Sequence, residues 1–383
     1  MIEGSGPTKD YFFRLDALRF AAFAVVFLNH ITFFLHFPPT ESVPGTPAYV
    51  YFETGDLGVG FFFVLSGFLI TYLLEKEYMK TGTISFKNFY IRRVLRIWPL
   101  YFLAIAVIVA ISFTFHGFTL YKTGIDWHEV LWHLFFVGNI FRAFQNTSND
   151  MIAILWSIAV EEQFYILWPL IYKIFRKYIA WVIGLGVIVS MAYRYHYANN
   201  LEVREFYTPC VMIYLFVGTA IGIYGKHLRE WIQGKALWIG LASAAGVVGV
   251  LSVRGFVFPY MYPQWFIALD GLLFATFFGL IILCAAFGRT SKRSQGLRAR
   301  NPIEAALEYL GTISYGLYIY HLIALTIVVY IAQRLGFEYT NLDAGRFFIL
   351  APATLALAIV IASVSYRFWE KPFLKLKDRF VKA

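Results

Sequence analysis

Two residues able to carry chemistry sit inside the first apolar run, RLDALRFAAFAVVFLNHITFF: Arg19 and, ten intervening residues on, His30. A charged side chain in a lipid-spanning helix costs about 2.5–3.5 kcal/mol even on the lenient insertion scale, so it is seldom there without a partner or a task. Eleven positions at about 100° each come to about three turns plus 20°, which puts both side chains on one helix face about 16 Å apart along the axis. Arg14 and Asp16 extend the stripe toward its start. Such a stripe faces the inside of a bundle, where it can be a reaction site or a permeation path.

The elements that must hold these residues follow from composition. At 59% hydrophobic and 20% aromatic over 383 residues, an ordinary soluble domain is excluded. Several runs reach about 20 apolar residues, the length of a membrane-crossing helix. The net charge of +10 would suggest nucleic acid in a soluble protein. Here the basic residues cluster in short loops between apolar runs, so no nucleic-acid partner is expected and the charge reads as orientation in the membrane. Met1 to Tyr11 is polar and no small-residue cleavage site follows the first apolar run, which therefore reads as a retained span rather than a secretion signal. Cys210 and Cys284 lie in apolar segments and imply neither a disulfide framework nor a metal cluster, and no metal is expected.

Windowed apolarity gives candidate spans at about 15–36, 57–75, 97–116, 128–142, 152–175, 178–197, 207–225, 236–254, 264–288, 308–333 and 346–369. The fourth, HEVLWHLFFVGNIFR, is too short and too polar at its ends to cross comfortably. With the N-terminus in the cytoplasm and 128–142 re-entrant or interfacial, most of the 33 Lys and Arg fall on the cytoplasmic side. The exceptions are Lys122, Arg142, Arg194, Arg204, Arg254, Arg334 and Arg346. The expectation is an all-α polytopic membrane helix bundle of about ten transmembrane helices, both termini cytoplasmic, in a bacterial-type inner membrane. Its parts are a cytoplasmic segment 1–14, one transmembrane domain 15–370 and a basic tail 371–383.

Six motif regions together resemble one family. They are FRLDALR with His30 beyond it, GVGFFFVLSGFLI (58–70), FYIRRVLRIWPLY (89–101), LWSIAVEEQFYILWPL (155–170), ISYGLYIYH (313–321) and WEKPF (369–373). They resemble the membrane-bound acyltransferase-3 family, and the resemblance covers essentially the whole chain. It implies transfer of an acyl group, commonly acetyl, from a coenzyme A thioester to a hydroxyl on a sugar, polysaccharide, peptidoglycan or small natural product. Acyl-CoA, acetyl-CoA first, is then the donor substrate, and a carbohydrate or glycan the acceptor.

On that reading His30 is the leading catalytic residue. Acyl transfer to an alcohol needs a base, and imidazole has an unperturbed pKa near 6.5. His30 either activates the acceptor hydroxyl or carries the acyl group transiently. Arg19 is placed to stabilise a thioester oxyanion or hold the coenzyme, with Asp16 orienting it through an ion pair; a purely structural pair is the bland reading. Arg92, Arg93 and Arg96 form a compact basic cluster suited to the coenzyme's phosphates, with Arg14 a further contact, although basic clusters beside anionic lipid are also ordinary. Of the adjacent Glu161 and Glu162, the motif match points to Glu162 as the inward residue, binding acceptor hydroxyls or pairing with His30 or an arginine. Ser66, Tyr320 and His321 are expected to line the substrate site, Ser66 with Gly67 marking close helix approach.

The acceptor is expected from the outer face, acylation of a cytoplasmic small molecule being the variant. The chain runs only a few residues past WEKPF, which is expected to leave no appended extracytoplasmic domain, so any second transfer step would need a separate protein. A proton-coupled transporter or flippase using the Arg19–His30 stripe is the competing class, and a non-catalytic scaffold the third.

Overall fold

The computed structural model describes residues 13–35, 55–114, 124–145, 147, 149–257, 263–288, 301–337 and 344–380. The N-terminal segment up to residue 12, the basic loop 289–300 and the side chain of Arg14 lie outside the described residues. Among those described the structure is helical throughout. Helix α1 (Phe13–Phe34) is followed by α2 (Gly55–Thr81), α3 (Phe86–Thr114), the short α4 (Trp127–Leu134) and α5 (Gly138–Phe144), then α6 (Trp156–Phe175) and α7 (Ile179–His196). After α8 (Leu201–Phe206) come α9 (Thr208–Tyr224), α10 (Ala236–Ser252), α11 (Gln264–Phe287), α12 (Pro302–Thr312), α13 (Ser314–Arg334), α14 (Ala344–Ser365) and α15 (Lys371–Phe380).

Nine described stretches are long and apolar enough to cross a membrane, and one of them, Asp150–His196, has 47 residues. At 1.5 Å per residue that is about 70 Å of helix, twice what a bilayer accommodates. It folds back at Arg176–Tyr178, where Phe175 (φ −104°, ψ 19°) and Tyr178 (φ −112°, ψ 18°) leave helical geometry. Trp168 before the turn and Gly186 after it both abut the Phe216 ring. This stretch supplies two antiparallel crossings, α6 and α7, and brings the total to ten. The protein is a polytopic helical bundle.

The short segment 128–142 is broken in two. Phe136 takes φ 56°, a left-handed conformation costly for a bulky residue, and reverses the chain between α4 and α5. The reversal is clamped from three helices. Gln163 on α6 donates to the Phe136 carbonyl at 2.8 Å, and Thr208 on α9 donates to Gln163 at 2.6 Å. Tyr101 on α3 stacks on Phe136 with ring centroids 4.5 Å apart.

Two boundaries differ from expectation. The segment 308–333 divides at Ile313 into α12 and α13. Asn301 caps α12 by accepting from the Ile303 N–H, and Gly311 lies so close to the Asp16 backbone that a Cβ would overlap it. Helix α3 begins at Phe86, well before residue 97, because no breaker intervenes after Ser85; Arg92, Arg93 and Arg96 therefore sit within its first turns.

The centre of the bundle is the α2–α9 pair. A Cβ at Gly67 would overlap the Leu215 carbonyl, and one at Gly218 the Val64 carbonyl, so the two backbones touch directly. Small residues are what allow this in lipid, where no hydrophobic force joins helices and contact itself must do so. The pair forms a stiff wall, and the site residues hang on the helices around it.

Candidate active site

An internal cavity of about 210 Å³ lies along α2, bordered by Arg19, Ser66, Arg93, Arg96, Ser157, Glu161, Tyr165, Tyr315 and Tyr318 with an apolar lining between. It reaches from Leu73 to Val59, about 21 Å of helix rise. At the Leu73 end it meets a wider vestibule of about 690 Å³ whose polar groups are Lys76, Glu77, Lys80, Arg92, Thr81, Thr83, Ser85 and Asn88. Leu73, Arg93 and Arg96 border both spaces and form the neck between them.

Beyond the Tyr318 end sits a pair of histidines. His30 Nδ1 and His321 Nε2 are 2.7 Å apart, and His321 Nδ1 is 2.6 Å from the Tyr318 carbonyl oxygen. A carbonyl only accepts, so His321 Nδ1 carries the proton. In the neutral ring Nε2 then bears the lone pair, and His30 Nδ1–H must be the donor to it. The consequence is a defined tautomer: His30 presents an unprotonated Nε2. The edges of Phe23 and Phe27 hold the His321 ring, with centroids 6.0 and 6.5 Å away.

The Tyr318 hydroxyl is fixed by the same logic. It donates to the Ile154 carbonyl at 2.8 Å, so Ser157 donates to it at 2.8 Å. Arg19 pairs with Asp16 one turn away and borders the cavity. Arg93 rests over the rings of Phe89 and Tyr165, whereas Arg92 turns away to Glu77 at 3.2 Å.

The adjacent glutamates divide. Glu161 borders the cavity and accepts from Ser66 at 2.5 Å and Tyr165 at 2.9 Å. Glu162 is buried behind it, accepting from the Trp98 indole at 3.0 Å, and it makes no contact with His30. The inward carboxylate is therefore Glu161, because the turn of α6 that aims residue 161 at α2 carries residue 162 toward α3. Tyr320 also points elsewhere, bonding Ser365 on α14 at 3.0 Å.

The structure brings Arg19, Ser66, Arg93 and Arg96 to one cavity, with Asp16 behind Arg19 as its ion-pair partner and His30 and His321 beyond the Tyr318 end. Ser157 and Arg142 were not singled out by sequence. Ser157 was legible only as the serine of the WSIAVEEQ motif, and Arg142 only as a basic residue on the outer side of the charge parity. The motifs also meet one another: Tyr315 donates to the Ile97 carbonyl and Trp369 to the Pro99 carbonyl, at 3.0 Å each.

Fold and site together define a polytopic membrane protein with a long cavity among its described helices. The chain belongs to the acyltransferase-3 family, whose acyltransferase domain matches residues 12–363. It is 26% identical over 393 residues to the peptidoglycan O-acetyltransferase OatA of Listeria monocytogenes, covering 96% of this chain and 56% of that protein. To a putative O-acetyltransferase and to the O-acetyltransferase OatA, both of Staphylococcus aureus, it is 26% identical, covering 84% of this chain and 53% of each. The chain thus spans about half the length of the curated relatives it matches. No solved structure matches it.

Proposed function

We propose that this protein transfers an acyl group, acetyl first among them, from acyl-CoA to a hydroxyl of a carbohydrate or cell-envelope glycan. The observation that carries the reading is the order of groups along one axis: basic vestibule, arginine neck, apolar cavity, then a histidine whose basic nitrogen is unprotonated. Coenzyme A carries a pyrophosphate and a ribose phosphate on a long thin arm. The vestibule with Lys76 and Lys80, together with Arg93 and Arg96 at the neck, suits the phosphates, and the cavity beyond suits the arm. The vestibule lies at the end of α2 where positive-inside charge puts the cytoplasm, which is where acyl-CoA is made.

In the step itself His30 Nε2 removes the acceptor's hydroxyl proton as the oxygen attacks the thioester carbonyl. The tetrahedral intermediate collapses with cleavage of the C–S bond, and the leaving thiolate takes the proton back from His30. Arg19, held by Asp16 about 16 Å along α1 from His30, supplies positive charge to the coenzyme arm within the cavity rather than to the oxyanion at His30. In the alternative route the same Nε2 attacks the carbonyl and passes the acyl group on, and mass spectrometry of a quenched reaction lacking acceptor distinguishes the two. Acetyl-labelling of envelope carbohydrate in wild-type and His30→Ala cells tests the function. Loss of one labelled glycan at normal protein level is the expected result, and an unchanged acetylation profile overturns it. Release of free thiol by the purified full chain separates transfer from proton-coupled transport, which consumes no thioester.

A further inference from the structure

Arg142 is a cation that the mechanism above leaves unused. It projects from α5, within the clamped hairpin that borders the histidine end of the molecule. Its guanidinium lies over the Phe206 ring at 4.1 Å, and Phe206 packs on Trp156, the residue before Ser157. Arg142 stands within electrostatic reach of His30, Tyr318 and His133. Among the described residues it has no carboxylate partner and no hydrogen bond, and its Nε is buried. Arg19, by contrast, is paired with Asp16, and Arg92 with Glu77.

A guanidinium cannot shed its charge, and holding it half-buried without a counter-ion is costly. Such a cost is sustained where the missing anion arrives with a ligand. The donor's phosphates belong to the vestibule at the opposite end of the cavity, and Arg142 does not border the cavity in which the thioester is expected. What remains is the acceptor. We infer that Arg142 forms an anion subsite beside His30, and that the favoured acceptor carries a carboxylate or phosphate near the hydroxyl to be acylated.

The hairpin gives the subsite its rigidity. Asn139, one turn before Arg142, donates to the Phe206 carbonyl at 3.0 Å and to Thr208 at 2.9 Å, fixing α5 against the ring on which the guanidinium rests. A planar cation stacked on an aromatic face keeps its in-plane N–H groups free for an oxyacid.

The inference rests on the acyl-transfer reading for its biological sense, but binding tests it without turnover. The full chain in nanodiscs is titrated, without donor, with a neutral oligosaccharide and with its uronic-acid counterpart, and binding is read by calorimetry. A phosphorylated oligosaccharide forms a third arm and separates phosphate from carboxylate as the preferred anion. Wild-type protein should favour an acidic form about 10-fold or more, Arg142→Lys should retain part of the preference, and Arg142→Gln should abolish it while binding the neutral sugar unchanged. Equal binding of neutral and acidic sugars by the wild type overturns the inference, as does a preference that survives Arg142→Gln. If Arg142→Gln unfolds, a reduced preference in Arg142→Lys that salt weakens in the wild type supports the subsite, and a salt-insensitive preference undiminished in Arg142→Lys overturns it. Retained acidic preference with no thiol release from any thioester would overturn acyl transfer and leave the anion subsite standing.

Discussion

His30 and His321 lie with their ring planes 8° from parallel and centroids 5.0 Å apart, joined by one hydrogen bond between ring nitrogens. His321 is therefore a positioning residue: through its bond to the Tyr318 carbonyl it decides which nitrogen of His30 is basic. His321→Ala should lower kcat by at least about 10-fold, and by no more than the roughly 10²–10⁴ that loss of the base itself costs. His321→Gln should recover part of the rate, because its amide oxygen falls near the position of Nε2. Nitrogen-15 spectra of labelled protein read the tautomer directly, and finding His30 protonated on Nε2 in the resting protein would refute the assignment.

Arg93 and Arg96 form the neck, while Arg92 is engaged by Glu77. Arg93→Gln and Arg96→Gln should each raise the KM for acetyl-CoA by about 10-fold, the worth of a charged hydrogen bond. Arg92→Gln should change it by less than about threefold, since a half-buried arginine already paired with Glu77 has less charge to offer a phosphate. Steady-state thiol release at varied donor concentration separates the three variants, and equal effects would place the phosphates elsewhere.

Gly67 and Gly218 allow α2 and α9 to touch. Gly67→Val should lower stability by about 3 kcal/mol or more, since the added carbons meet a backbone carbonyl that cannot swing aside. Gly240→Ala, in open space on α10, should be neutral or slightly stabilising. Thermal melts in one detergent compare them, and equal midpoints would show that the helices can separate without loss.

His133, in the short hairpin outside the crossings, has its pKa lowered below 6.5, chiefly by burial and further by Arg142, against the opposing effect of Glu129. The unfolded chain binds this proton before the folded one does, so stability should fall as pH drops through about 6.5, by at most about 1.4 kcal/mol per unit. His133→Asn should flatten that part of the curve. Denaturation between pH 8 and 5 measures it, and identical slopes in both proteins would contradict the assignment.

The crossings were legible because membrane helices are written in long apolar runs and their loops in charge. Even the shortness of 128–142 could be read, since its polar ends leave too few apolar residues to cross. What the sequence concealed depends on azimuth. Glu161 and Glu162 are neighbours in sequence, and only the packing of α6 between α2 and α3 decides which one meets the cavity. The same holds for Tyr320 and His321, one bonded to α14 and the other to α1. The start of α3 was misjudged because Arg92, Arg93 and Arg96 lower the apolarity of a window without breaking the helix. Pairing of His30 with His321 joins positions from opposite ends of the chain, which no local pattern reveals.

The narrow passage at Arg93 and Arg96 has a kinetic consequence. If the thioester enters by that door, the spent coenzyme must leave by it too, while the acceptor comes and goes at the other end. Free coenzyme A should then compete with the donor and not with the acceptor. Nothing in such a cycle requires the bundle to rock between two facings, because the coenzyme's arm reaches along the cavity and withdraws by the same door, leaving only the acyl group at the far end.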